Sequence, residues 1–147
     1  MRIFIVDDSP TASLLLQRNL EELGHEVGHA QNGREAWDQL QKNPERLVIT
    51  DWMMPEMNGV ELCRKIRSVA STSYTYVIMI TVKDLRKDRF EGLEAGADDF
   101  LTKPIDAIEL ATALNTARRI LSAQTDLQRR VAELEQEYAP AAARSEG

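Results

Sequence analysis

The chain has one cysteine, two histidines, no long hydrophobic run and too few basic residues to balance its acids, and each shortage removes a class of function. Cys63 alone cannot close an internal disulfide. No neighbouring Cys or His gives it the spacing of a zinc site, so it reads as a small buried residue on a helix. No apolar stretch approaches the roughly 20 residues that span a bilayer, and no membrane association is expected. Met1 and Arg2 run straight into Ile3-Phe4-Ile5-Val6 without the apolar segment and small-residue cleavage site of an export signal, so the expectation is a cytoplasmic protein. Lys and Arg number 18 against 24 Asp and Glu, for a net charge of −6. That balance argues against non-specific attraction to nucleic acid, which depends on cations neutralising phosphates, and no direct nucleic-acid contact is expected. His25 and His29 fall near the second predicted strand, away from the site argued below, and read as surface or packing residues rather than ligands.

What is present is enough for one hydrophobic core plus an appendage: 147 residues, 43% hydrophobic and 29% charged. Short β-rich runs alternate with helical stretches, the pattern of a parallel sheet covered on both faces. The strands are predicted at 2–6, 26–30, 47–50, 76–80 and 98–101. Continuous apolarity in the first, third and fourth implies burial on both faces. The first helix opens with Ser9 as cap and Pro10 at its first position, carries Ala12, Leu16, Leu20 and Leu23 as an apolar stripe, and stops at Gly24. Further helices are predicted at 34–41, 59–69, 84–95 and from 106 onward. Trp37, with Ala36 and Leu40 at helical spacing, reads as packing. There is no internal repeat, and compositional bias is confined to the closing Ala-Pro-Ala-Ala-Ala segment.

Abrupt polar residues fall at the carboxyl ends of the predicted strands: Asp7 and Asp8 after the first, Asp51 after the third, Thr81 after the fourth, Lys103 after the fifth. Open α/β sheets bind ligands at that edge. In a flavodoxin-like, doubly wound five-stranded parallel sheet of order 2-1-3-4-5, these strands are neighbours and the residues converge on one crevice. Three gathered carboxylates repel one another unless a cation compensates them, and a hard divalent ion that keeps open positions suits such a set. Aspartate can itself be a nucleophile toward phosphorus, and phosphoryl transfer needs little beyond alignment and charge neutralisation. Asp51, Lys103 and Thr81 have the chemistry for it.

Together, Asp7-Asp8, the stretch Asp51-Trp52-Met53-Met54-Pro55-Glu56-Met57-Asn58-Gly59, Thr81 and Phe100-Leu101-Thr102-Lys103-Pro104 resemble the response-regulator receiver domain, over about residues 1–121. The resemblance implies that Asp51 is the phosphoacceptor and that magnesium, or manganese, is held by Asp8, Asp51 and the Met53 backbone carbonyl, with Asp7 acting mainly through water. It implies that Lys103 and Thr81 contact phosphoryl oxygens, that Thr81 and Phe100 form a conformational switch, and that the Lys103-Pro104 bond is cis. The donor would be a sensor histidine kinase or phosphotransfer protein, and the domain assists its own modification rather than turning over a substrate. Met53 and Lys83 occupy positions that tune hydrolysis in this family. Apolar Met53 is expected to position attacking water poorly and to lengthen the phosphorylated lifetime.

Each residue also has a purely structural reading. Asp7 and Asp8 suit a helix N-terminus, Asp51 a turn, Thr81 a strand end and Lys103 a solvated surface. Two other functions stay open at this point: a haloacid-dehalogenase-like aspartyl-phosphate phosphatase, although the acids here are adjacent rather than in an Asp-x-Asp start, and a dimerisation scaffold with a vestigial site. Trp52 reads as a rim residue.

The last helix is longer than covering the sheet requires. Leu110, Ala113, Ala117, Ile120, Gln124, Leu127, Val131, Leu134 and Tyr138 step by three and four, a heptad seam that suggests a parallel coiled-coil dimer with Gln124 fixing register. The division is therefore a receiver at 1–121 and a helical coiled-coil extension or linker at 122–147. Association is expected through this helix, through the face of the fourth helix, fifth strand and fifth helix, or through both. The tail resembles helices that join receivers to output modules such as diguanylate cyclases or kinases, and an output domain downstream of Gly147 is expected, a stand-alone dimeric receiver being the other reading.

Overall fold

The computed structural model describes the backbone of residues 1–69, 73–82 and 86–146, and their side chains apart from 86–88 and 139–146. Three apolar runs form the centre of one sheet: β1 (Arg2–Val6), β3 (Leu47–Asp51) and β4 (Tyr76–Thr81). Every residue of β3 and β4 is buried. β2 (Glu26–Ala30) and β5 (Asp99–Thr102), with mixed exposure, lie at the edges. All pairings are parallel, in the order β2-β1-β3-β4-β5. Parallel neighbours require crossovers, supplied by α1 (Pro10–Glu22), α2 (Gly33–Lys42), α3 (Gly59–Ser68) and α4 (Arg86–Ala95), and α5 (Ala107–Glu146) closes the fold.

Successive strand residues point to opposite faces, which splits the core into two layers. Ile3 and Ile5 pack with Leu16 and Leu20 of α1 and with Leu110 and Leu114 of α5. Phe4 and Val6 pack instead with Leu40 of α2 and Leu62 of α3. Cys63 is fully buried among Val60, Val77 and Met79, and burial pushes its thiol up to about 11. A fully buried aliphatic side chain contributes about 1.5–3 kcal/mol, so the central strands, and the polar residues that end them, sit on the most stable part of the molecule. Trp37 packs against the second layer as expected.

Helix starts follow their caps. Ser9 Oγ accepts the Ala12 N–H at 3.3 Å, and the Asn32 and Asn58 side chains accept from Glu35 and Glu61, each at 2.8 Å. Asp106 does the same for Glu109 at 3.1 Å, placing it just outside α5 rather than inside it. Gly24, at φ 91°, takes the left-handed turn that ends α1.

Some expectations need correction. Leu23 is 49% exposed because α1 stops at Glu22 and Leu23 already has cap geometry; Ser13 takes the buried place on that face. The fifth strand starts one residue later than expected. Asp98 stays outside it, because its carboxylate accepts from the Val77 N–H (2.8 Å), Arg67 (2.8 Å) and the Tyr74 hydroxyl (2.5 Å). The expected start of the fourth helix at Asp84, and Lys83 before it, lie outside the described residues. α5 continues beyond Tyr138 to Glu146. The heptad seam divides: Leu110, Ala113 and Ala117, with Leu114 and Leu121, are buried against the sheet, whereas Ile120 is 41% exposed. Leu127, Val131 and Tyr138 remain exposed beyond them. No helix among the described residues is long and apolar enough to cross a membrane.

Candidate functional site

Because every strand runs the same way, the carboxyl ends of β1, β3, β4 and β5 share one edge. The register sets Val6 beside Thr50, Asp51 beside Ile80 and Thr81 beside Thr102. Asp51 and Thr81 are the last residues of their strands, Asp7 follows β1, and Lys103 follows β5. The carboxylates of Asp7, Asp8 and Asp51 each offer an oxygen within 4.8 Å of the others. Lys103 Nζ stands 3.0 Å from Asp51 Oδ2 and 3.8 Å from Asp7 Oδ2. Asp7, Asp51 and Thr81 are buried while Asp8 is exposed, so the cluster opens to solvent on one side. Met53 is exposed at the rim, and Phe100 is half-buried beside Trp52 against Val60 and Met79. The Lys103-Pro104 peptide is cis.

Local hydrogen bonds hold these groups in place. The Ser9 N–H donates to Asp7 Oδ1 at 2.8 Å, so the residue that caps α1 also orients an acid of the cluster. The Lys103 N–H donates to the Thr81 carbonyl at 2.8 Å and the Trp52 N–H to the Ile80 carbonyl at 2.9 Å, binding the segments after β5 and β3 to β4. The loop from Trp52 to Asn58 then turns back, with Glu56 at φ 67°, until the Gly59 N–H reaches the Trp52 carbonyl at 2.9 Å. Gly59 is packed on the backbone of the acid itself. A Cβ there would collide with the Asp51 carbonyl oxygen and stand 3.2 Å from the Asp51 carbonyl carbon and from Trp52 Cα.

Burial is the main influence raising the pKa of Asp51. The hydrogen bond and charge of Lys103 oppose it, and the negative charge of Asp7 adds to it. Burial acts on Lys103 in the opposite sense, but the Asp51 hydrogen bond and the charges of Asp51, Asp7 and Asp8 outweigh it and hold the ammonium above its ordinary range. One cation therefore serves three acids. Carboxylate oxygens are the donors a hard divalent cation prefers, and a set with two buried members and one open side fits such an ion and leaves room for water or phosphoryl oxygens.

Several contributors were not singled out for this site from the sequence. Thr50 donates its hydroxyl to the Asp51 carbonyl at 3.0 Å. His29, expected to lie away from the crevice, has Nε2 3.3 Å from the Asp7 carbonyl, because β2 pairs in register with β1. Gly59, which closes the stretch that begins at Asp51, directly follows Asn58, a strong helix cap, and Thr50 bonds to the residue next to it; the His29 contact depends on register, which no local pattern reveals.

A family profile described as the response regulator receiver domain matches residues 3–115. The chain is 40% identical over 106 residues to a chemotaxis protein CheY homolog of Campylobacter jejuni, covering 71% of this chain and 82% of that protein. It is 38% identical over 118 residues to the phosphate regulon transcriptional regulatory protein PhoB of Rhizobium meliloti, covering 80% of this chain and 52% of PhoB. A solved structure described as a probable two-component system response regulator/GGDEF domain protein superposes with a TM-score of 0.77 at 32% identity, covering 83% of this chain and 50% of that one. The chain thus spans about half the length of the latter two proteins.

Proposed function

Since the chain belongs to the response-regulator receiver family, a signalling domain rather than a conventional enzyme, we propose that it accepts a phosphoryl group on Asp51 from a sensor histidine kinase, a phosphotransfer protein or a small phosphodonor. The observation that carries this reading is the convergence of the Asp7, Asp8 and Asp51 carboxylates, with Lys103 Nζ 3.0 Å from Asp51. A carboxylate oxygen of Asp51 forms a bond to phosphorus as the phosphorus–nitrogen bond of the donor histidine breaks and its electron pair returns to the imidazole. Lys103 lies where it can neutralise charge on the transferred oxygens, and Thr81, at the end of the neighbouring strand, offers a hydroxyl to another. Asp8, Asp51 and the Met53 carbonyl would hold magnesium or manganese, with Asp7 acting through water. When bound, that ion supplies compensation for the crowded negative charge.

The state of the site reaches other parts of the chain through Thr81 and Phe100, which lie on the adjacent strands β4 and β5. Phosphorylation biases an existing equilibrium of these two residues and of the surface formed by α4, β5 and α5. The receiver comprises residues 1–121, and the helical extension 122–147 leads toward an output module. Leu127, Val131 and Tyr138, exposed in one chain at 66%, 52% and 69%, supply the seam by which two copies pair.

Sedimentation velocity with and without beryllofluoride and magnesium tests the whole reading. Tight, magnesium-dependent uptake of beryllofluoride and a shift in oligomeric state are expected. A sedimentation profile indifferent to both reagents points to a scaffold, and rapid turnover of added phosphate esters to a phosphatase; either result overturns the proposal.

A further inference from the structure

The helical extension leaves the receiver at a built joint. Leu121 is the last buried residue of α5 among those described. At that height Arg46, the residue before β3, donates from Nη2 to the Leu121 carbonyl at 2.8 Å and to Thr125 Oγ1 at 2.6 Å. The Thr125 hydroxyl donates to the same carbonyl at 3.0 Å, so three groups close into one knot around the first turn of the extension.

The other side of the knot is anchored to three strands. The Arg46 carbonyl accepts the Tyr76 N–H at 2.8 Å, where β4 begins. The Glu45 carbonyl accepts the Thr75 hydroxyl at 2.8 Å, and the Glu45 carboxylate takes Arg2 Nε, at the start of β1, at 2.7 Å. Arg46 is followed directly by β3, whose last residue is Asp51. Across a groove of about 450 Å³, Gln124 and Leu127 face Ile66, Val69 and Tyr74, and Gln124 Oε1 has no hydrogen-bond partner. The apolar side of the joint is thus loosely filled, while Arg46 makes charge-assisted bonds on its own side, the stronger class of hydrogen bond.

We propose that Arg46 is a positioning residue that fixes the bearing of the extension on the receiver. The first turn of the extension then moves as one body with the starts of β3 and β4 instead of swinging as a free linker. Whatever displaces those strand ends, from either direction along β3, redirects the extension. This goes beyond the phosphoacceptor reading and does not rest on it, because the joint is present in the unmodified protein.

The test uses the full chain without metal or phosphodonor. Spin labels at Asp38→Cys on α2 and Glu133→Cys on the extension, both exposed positions, are diluted into unlabelled protein so that distances within one chain dominate. Arg46→Ala is expected to broaden a narrow distance distribution, and Arg46→Lys, which keeps a charged nitrogen donor on a more flexible stem, to broaden it less. Amide exchange across 122–130 should quicken about tenfold in Arg46→Ala, the loss expected of a charge-assisted bond, with β3 and the unfolding temperature unchanged. A distribution in Arg46→Ala that superimposes on that of the parent chain overturns the proposal. So does faster exchange spread equally through the sheet, which would mark Arg46 as a general stabiliser.

Discussion

Replacing Gly59 by alanine tests whether the loop behind the phosphoacceptor is as tightly closed as the geometry requires. The new Cβ meets backbone rather than a movable side chain: the Asp51 carbonyl group and Trp52 Cα. Relief therefore demands a shift of α3 or of the end of β3. Overpacking of this kind costs about 1–3 kcal/mol, against a gain of at most about 1 kcal/mol from the better helix propensity of alanine. A net loss of about 1–2 kcal/mol is expected, a fall in Tm of about 5 °C for a domain of this size. The same displacement moves the Asp51 carboxylate relative to Asp7 and Asp8. Since misplacement by ~1 Å costs on the order of a hundredfold at a preorganised site, a shift of a few tenths of an ångström should weaken magnesium binding several-fold. Gly24→Ala is the control. It has open space around it but a φ of 91°, so it should lose about 1–2 kcal/mol from backbone strain while leaving magnesium affinity unaltered. Thermal unfolding and a magnesium titration read by fluorescence of Trp52, the residue after Asp51, supply both measurements. If Gly59→Ala keeps the parent stability within about 0.5 kcal/mol, the close-packing argument is wrong.

Four further outcomes are expected. Lys103→Met removes the cation 3.0 Å from Asp51 and should slow labelling by acetyl phosphate about a hundredfold, as loss of a positioned electrostatic partner does. The attacking form of Asp51 is ionised, so labelling falls as pH drops through its raised pKa. Lys103→Met removes two influences that lower that pKa, and the fall should move to higher pH; an unmoved pH profile would count against the pairing. Val131→Glu places a charge in the exposed seam and should raise the dimer dissociation constant at least about tenfold by sedimentation, with Tm and labelling intact; undiminished association would exclude the seam. Met53→Asn should shorten the phosphorylated lifetime about tenfold by holding an attacking water, and an unchanged decay rate would remove Met53 from the account.

How much was legible in advance depended on the range of the physics involved. β1 was bounded correctly, and the carboxyl-terminal edge was identified, because burial on both faces writes itself as continuous Ile, Val and Phe in the chain, whereas the edge strand β2, of mixed exposure, was bounded correctly between the glycines Gly24 and Gly33. Caps such as Ser9 and Asn58 act within three residues and were equally local. Leu23 misled because hydrophobic spacing continues one residue past Glu22, where α1 ends ahead of the Gly24 turn. Asp98 looked like the start of a strand because its real partners, Arg67, Tyr74 and Val77, lie more than twenty residues away. The heptad seam was visible, but its division into sheet-facing and exposed halves was not, since that requires knowing where α5 leaves the receiver. Arg46 was silent for the same reason: its contacts with Leu121 and Thr125 span 75 and 79 residues.

Intact-protein mass spectrometry after incubation with acetyl phosphate and magnesium, on the parent chain and on Asp51→Asn, bears most directly on the central claim. One phosphoryl adduct on the parent, mapped to Asp51, and none on the variant is the expected outcome. An adduct of equal yield on Asp51→Asn, or one mapped to another residue of the parent, would contradict it.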